Sequence, residues 1–165
     1  MGKAYGSPPG RMDSGDLSES VFLMETLDGE VLGLCGLKLG IYRCETGHPV
    51  KASEEERAAY PVEEKLDMKL LGRRIRIPEE RQEMGGFTVR QYHLDSNHHV
   101  NNAQYIRLSQ EYIPADFQVQ RLRAEYKRQA VLGDQIFPMV SKTEDSYVVT
   151  LCNEEKEPYA VVEFS

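Results

Sequence analysis

The chain has 165 residues, 40% of them apolar and 28% charged, with a formal net charge of −7. That is apolar material for one packed domain, or for one domain and a piece of another, and it excludes a chain disordered throughout. No apolar run reaches the roughly 20 residues of a membrane-spanning helix, the opening "MGKAYGSPPGRMDSGDLSES" lacks the apolar stretch of a secretory signal, and the acidic balance argues against nonspecific nucleic-acid binding.

Residues 1–19, rich in Gly, Ser, Pro and Asp, read as a poorly ordered arm. "SVFLMETL" (20–27) reads as a strand, and Asp28-Gly29 after it as a type I′ hairpin turn. "VLGLCGLKLGIYRC" (31–44) is then the long return strand, its glycines marking close packing or a bulge. Cys35, Cys44 and Cys152 are odd in number with no CxxC spacing; they read as reduced thiols of a cytoplasmic protein, with Cys35 buried. "SEEERAAY" (53–60) is a short helix with a Ser N-cap and an acidic first turn, closed by Pro61. Residues 61–86 read as a charged linker containing an extended piece, "RRIRIP". So residues 20–60 form one piece and residues 87–165 a second.

"FTVRQYHL" (87–94) alternates as a strand does. "NAQYIRLSQEYI" (102–113) puts Ala103, Ile106, Leu108 and Ile113 at near-helical spacing before Pro114. Four strand-like runs follow at 117–130, 134–143, 146–154 and 158–164, joined by turns as an antiparallel meander. Strand, helix and four antiparallel strands imply an α+β domain of the hotdog plan, a sheet wrapped around one central helix.

Between that strand and that helix lies "HLDSNHHVNNAQYI" (93–106). Asp95, Asn97 and His99 recur at every second position, so an extended or tightly turned segment would point a carboxylate, an amide and an imidazole to one side. Such a set suits hydrolysis: the carboxylate activates water or attacks directly, and the other two orient water or polarise a carbonyl. The helix beginning at Val100–Asn102 offers N–H groups and a positive dipole end for an oxyanion, with Asn101 or Asn102 as its N-cap. Two rival readings are a plain polar loop leading into a helix and a metal nest. The metal reading is the weaker, because zinc ligands come from separated elements or at i, i+4 on a helix.

Positive charge gathers in "KLLGRRIRIPEER" (69–81) and "RLRAEYKR" (121–128). Arg73, Arg74, Arg76, Arg121, Arg123, Lys127 and Arg128 would either dock an acidic partner or form a solvated, ion-paired face.

"YHLDSNHHVNNAQYI" resembles the signature of the plant-type acyl-[acyl-carrier-protein] thioesterases, a family also found in bacteria: D-x-N-x-H-V-N-N followed by an aromatic-containing helix, met here by Asp95, Asn97, His99, Val100, Asn101, Asn102 and Tyr105. "FLMETLDGEVLGLCGLKLGIYRCETGHPV" and "RLRAEYKRQAVLGD" extend the likeness over most of residues 20–165. The resemblance implies two fused hotdog repeats, the second complete and the first partial. It implies hydrolysis, without metal or organic cofactor, of the thioester joining a fatty acyl chain to the phosphopantetheine arm of acyl carrier protein during fatty-acid synthesis. Asp95, Asn97 and His99 become the catalytic set, Val100, Asn101, Asn102 and Tyr105 bind substrate, and the basic residues meet the carrier protein. Gln129 stands where plant members have a further carboxylate; it could orient water but cannot act as a base, which leaves Asp95 as base or nucleophile. The strand and helix that open the first repeat have no counterpart in residues 1–19. The acyl tunnel would then lack part of its wall, and the chain would self-associate, as a homodimer or otherwise, because open sheet edges invite pairing. The alternative expectation is a non-catalytic acyl-binding or carrier-binding module.

Overall fold

A computed structural model describes residues 3–6, 17–40, 50–51, 53–59, 71–72 and 74–165. It divides into two compact units, residues 1–71 and 72–165.

In the first unit, β1 (Lys3–Gly6), β2 (Leu17–Glu25) and β3 (Val31–Gly40) form an antiparallel sheet in that order. Strand therefore occurs within residues 1–19, where composition alone suggested a loose arm; pairing with β2 supplies what the sequence of β1 lacks in periodicity. The β2–β3 turn is not type I′. Only Gly29 has a positive φ (84°), Thr26 N–H donates to Glu30 O (2.8 Å), and Gly29 N–H donates to Thr26 O (3.1 Å). That is a three-residue loop with glycine at its left-handed position, and the irregularity in register falls beside it, at Met24/Glu25. Cys35 is exposed rather than buried, as are Leu32, Leu34 and Leu37 on the same strand. α1 (Glu54–Ala59) starts directly after Ser53. Cys44, Arg73, Tyr60 and Pro61 lie outside the described residues.

The second unit begins within the stretch read as a linker. Residues 74–78 lie over one face of the sheet: Ile75 is buried and Ile77 half-buried against Val148 and Val161, while Arg74 and Arg76 are exposed. Alternating Arg and Ile thus give this strap one apolar side. Arg123 clamps it, donating from Nη2 to Gly72 O (2.6 Å) and Arg74 O (3.1 Å) and pairing through Nη1 with Glu163 (2.8 Å). Ile75 N–H donates to Glu125 Oε2 (3.1 Å). Burial works against the Glu125 carboxylate, but hydrogen bonds from Lys127 and from Ile75 N–H outweigh it and hold the carboxyl below its usual range.

The sheet is built from β4 (Gln82–Glu83), β5 (Phe87–Thr88), β6 (Leu122–Tyr126), β7 (Gln135–Lys142), β8 (Tyr147–Cys152) and β9 (Pro158–Phe164). Its order is β4-β7-β8-β9-β6, with β5 also on β7. Only β7-β8-β9 is a meander. β6 crosses to the far edge and pairs with β9, because the chain after it is committed elsewhere: Lys127 and Arg128 N–H bond Tyr159 O, Ala130 N–H bonds Tyr105 Oη, and His99 bridges Val131. Gly86 marks the restart before β5 for a steric reason, since a Cβ there would sit 2.8 Å from the Phe137 ring. The expected strand 87–94 ends at Thr88, and Gln91–His93 is a 3₁₀ turn.

α2 (Asn102–Gln110) is the central helix. It ends before Pro114 and short of Ile113. Its deepest residues are Tyr105 and Ser109, one turn apart and joined by Ser109 Oγ donating to Tyr105 O (2.8 Å). Ala103 is exposed, and Ile106 and Leu108 are half-buried. Tyr105 packs with Val149, Leu151, Val162 and Phe164 on the helix-facing side of the sheet. One helix on a curled antiparallel sheet is the expected hotdog arrangement.

Candidate active site

Local chemistry shapes the stretch 93–106 before any function is considered. Leu94 and Val100 pair as a bridge. Inside them Asp95 N–H donates to His99 O (2.8 Å) and His98 N–H donates to Asp95 O (3.1 Å), with His98 at φ +62°. The result is a tight hairpin loop rather than an extended run. Asp95 Oδ1 stabilises it by accepting Asn97 N–H (2.8 Å) and His99 N–H (3.4 Å). Asp95 and His99 are partners across the loop, so their side chains leave from the same side. Asn97 sits at the tip of the loop.

Asp95 and His99 open onto a cavity of about 610 Å³. The start of α2 supplies Val100, Asn101, Asn102 and Tyr105 to its wall, and the end of β6 supplies Tyr126, Lys127, Arg128 and Gln129. Asn97 is exposed and is not part of the lining. Its contribution to the carboxylate comes through its backbone N–H.

The helix start is less open to an anion than its sequence suggests. Val100 N–H is bonded to Ala130 O (2.9 Å), Asn101 N–H to His93 O (2.9 Å), and Ala103 N–H to the Asn101 side chain (2.9 Å). Asn101 is therefore the N-cap. Among the described residues Asn102 N–H is left as the first-turn amide without a partner, so an oxyanion site would centre on Asn102 and not on Val100.

The expected docking arginines divide. Arg74, Arg76 and Arg121 are exposed. Arg123 is consumed by the strap clamp and is not free to meet a partner. Lys127 pairs with Glu125 (2.9 Å), and Arg128 pairs with Glu157, both at the cavity wall. Hydrogen bonds from Arg128 and then Asn153 hold the Glu157 carboxyl below its usual range. Tyr126 is a site residue that the sequence reading passed over. Its ring lies 6.0 Å from that of Tyr105, and its hydroxyl donates to Asn102 O (3.2 Å); only its place two residues before the basic pair's end hinted at this. Among the described residues no three His, Cys, Asp or Glu side chains are grouped to hold a metal.

The family model for the acyl-ACP thioesterase C-terminal domain matches residues 77–159, half of the chain. The chain belongs to the acyl-ACP thioesterase family. Every residue lining the cavity falls within the matched span. No curated protein matches the chain. An acyl-ACP thioesterase from Bacteroides thetaiotaomicron superposes with a TM-score of 0.84 at 16% identity, over 98% of this chain and 66% of that one. A protein assigned as an oleoyl thioesterase from Lactobacillus plantarum superposes with a TM-score of 0.71 at 17% identity, over 99% and 74%. The present family member thus spans just under two thirds of the Bacteroides protein. At these identities the likeness establishes the fold, an antiparallel hotdog-type sheet with its helix.

Proposed function

We propose that the chain hydrolyses the thioester between a fatty acyl chain and the phosphopantetheine arm of acyl carrier protein, in fatty-acid synthesis. The observation that carries this reading is the pairing of Asp95 and His99 across one tight loop, lining a cavity whose wall also includes Asn102. In the reaction, Asp95 removes a proton from water as the water oxygen bonds to the thioester carbon. Two backbone amides hold Oδ1, which leaves Oδ2 to take that proton. His99, on the same side, orients the water. The oxyanion that forms is met by Asn102 N–H, with Gln129, also in the cavity wall, as a second donor. Collapse breaks the carbon–sulfur bond, and the proton on Asp95 passes to the leaving thiolate, giving free acid and free thiol. Direct attack by Asp95 through a mixed anhydride is the second route open to the same geometry. Exposed Arg74, Arg76 and Arg121 are the cations best placed by their freedom to meet an acidic carrier.

The test is release of free thiol from acyl-carrier protein by the full chain and by Asp95→Asn. Loss of a positioned base predicts a fall of about 10²–10⁴-fold in kcat. Equal rates in the two proteins would sink the reading. Salt-sensitive association with acylated carrier, without turnover in either protein, would favour a binding module instead.

A further inference from the structure

His93 lies outside the cavity lining, yet it touches both ends of the loop that carries the site. We propose that His93 is a positioning residue for the Asp95–His99 loop, its imidazole holding the chain that enters the loop and its carbonyl holding the chain that leaves it. The proposal rests on the reading of Asp95 and His99 as the reacting pair.

The geometry is reciprocal. His93 N–H donates to Arg90 O (3.0 Å), and Arg90 N–H donates to His93 Nδ1 (3.0 Å). These two hydrogen bonds close the 3₁₀ turn that ends the expected strand. On the other side, His93 O accepts Asn101 N–H (2.9 Å), the amide of the α2 N-cap. The Leu94–Val100 bridge follows immediately, and the Asp95–His99 loop projects from it. One residue therefore fastens the incoming chain, the outgoing chain and the helix start.

The side chain is 4% exposed and packs edge-on against Tyr92 (ring centroids 4.2 Å apart) and Phe87 (6.2 Å). The charged and titratable groups set against it are Arg90 and Tyr92 from its own segment; β5 presents the apolar Phe87 ring. To accept from Arg90, Nδ1 must carry no proton, so the ring is neutral with its proton on Nε2. Burial and then the Arg90 charge push its pKa below the ordinary 6.5, which agrees with that state. Protonation would turn Nδ1 into a donor facing a donor and release the entering chain. Because the folded-state pKa is depressed, the anchor is whole above pH 6.5 and is lost as the pH falls below it toward the folded value.

The experiment compares the full chain with His93→Phe, His93→Asn and Asp95→Asn. Two readouts are followed from pH 4.5 to 8: kcat and KM for thiol release, and amide hydrogen exchange over residues 90–102. His93→Phe keeps a flat ring but no acceptor. It should lose about 10²-fold in kcat, as small misplacements of reacting groups do, with KM little changed and with faster exchange at Arg90 and Asn101. His93→Asn supplies an oxygen near the position of Nδ1 and does not titrate. It should recover most of the activity and abolish the acid-induced exchange seen in the wild type. Wild-type kcat and exchange in His93→Phe would overturn the proposal, as would His93→Asn being as impaired as His93→Phe, since packing alone would then explain both. If Asp95→Asn turns over like the wild type, the site reading fails, and the exchange data still decide whether His93 anchors the loop. Should His93→Phe not fold, acid-independent wild-type exchange at Arg90, after correction for intrinsic rates, would refute the anchor.

Discussion

Replacing Tyr105 by Phe isolates one hydrogen bond that joins the core to the site. Tyr105 is 2% exposed, and its Oη accepts Ala130 N–H at 2.9 Å. Ala130 is fully buried, and its own carbonyl accepts Val100 N–H. Phe keeps the ring and its packing, so the change removes an acceptor and almost no volume. The amide left behind is buried without a partner, which costs about 1–3 kcal/mol. Tyr105 also lines the site cavity, so a water reaching the Ala130 N–H would bring the cost toward the lower end of that range. For a unit of residues 72–165, at about 4–8 °C per kcal/mol, the melting midpoint should fall by roughly 5–20 °C. Turnover should fall as well, because Ala130 fastens Val100 beside His99. Urea and thermal melts followed by circular dichroism measure the loss, with Tyr126→Phe as the control. The Tyr126 hydroxyl donates to Asn102 O from a side chain 41% exposed, so its removal should cost less than about 0.5 kcal/mol. Equal destabilisation by the two substitutions would refute the argument that the buried amide, rather than any tyrosine hydroxyl, sets the cost.

Two further perturbations probe other links. His98 sits at φ +62°, exposed and outside the cavity lining. His98→Gly relieves the left-handed strain and should leave stability level or raise it by up to about 1 kcal/mol, with turnover unchanged, whereas His98→Val should cost about 1–2 kcal/mol; a tenfold loss of turnover in His98→Gly would bring His98 into the chemistry. Tyr159 donates its hydroxyl to Asp134 Oδ2 (3.0 Å), and burial followed by that bond and the Asp134 charge pushes its pKa up to about 12. The folded state therefore holds this proton longer than the unfolded chain does, so its contribution is complete below pH 10 and disappears as the pH rises from 10 to about 12. Urea midpoints between pH 9 and 12 should fall less steeply in Tyr159→Phe, with a residual slope from Tyr105 and Tyr112, whose burial also raises them; identical slopes would remove Tyr159 as a cause.

Patterns that depend on near neighbours were legible in the sequence. Alternation marked β7, β8 and β9 within a residue or two, and Asn-Asn before an apolar helix marked the cap that Asn101 forms. Features decided by distant partners were not. Alternation in 117–130 tells which side chains share a face but not which strand lies alongside; β6 pairs with β9 because the chain after it bonds to Tyr159, Tyr105 and the site loop. "FTVRQYHL" alternates to its end, yet a side-chain nitrogen at its seventh position accepts a backbone amide three residues back and bends it. Arg123 and Glu163 are 40 residues apart in sequence, so nothing local marked Arg123 as structural.

The site loop itself separates what folding requires from what chemistry would add. The same loop occurs at Thr26–Glu30, Asp95–His99 and Asn153–Glu157. In each, the first residue's N–H donates to the fifth residue's carbonyl, the fourth residue's N–H donates to the first residue's carbonyl, and the fourth residue has a positive φ. In each, a side-chain oxygen on the first residue accepts the fifth residue's N–H, at 3.0, 3.4 and 2.8 Å in turn. A threonine hydroxyl and an asparagine amide serve this role as well as an aspartate, so the turn asks for an acceptor and not for a carboxylate. The third position is polar in all three, as Asp28, Asn97 and Glu155. The fifth position is Glu in the other two loops and His only here. Turn formation therefore asks no more of Asn97 and His98 than a polar tip and a left-handed backbone, and leaves the charge of Asp95 and the imidazole of His99 unexplained by folding. These two are also the loop residues that line the cavity. The case for chemistry at this loop rests on that coincidence, between what the turn does not need and what the cavity receives.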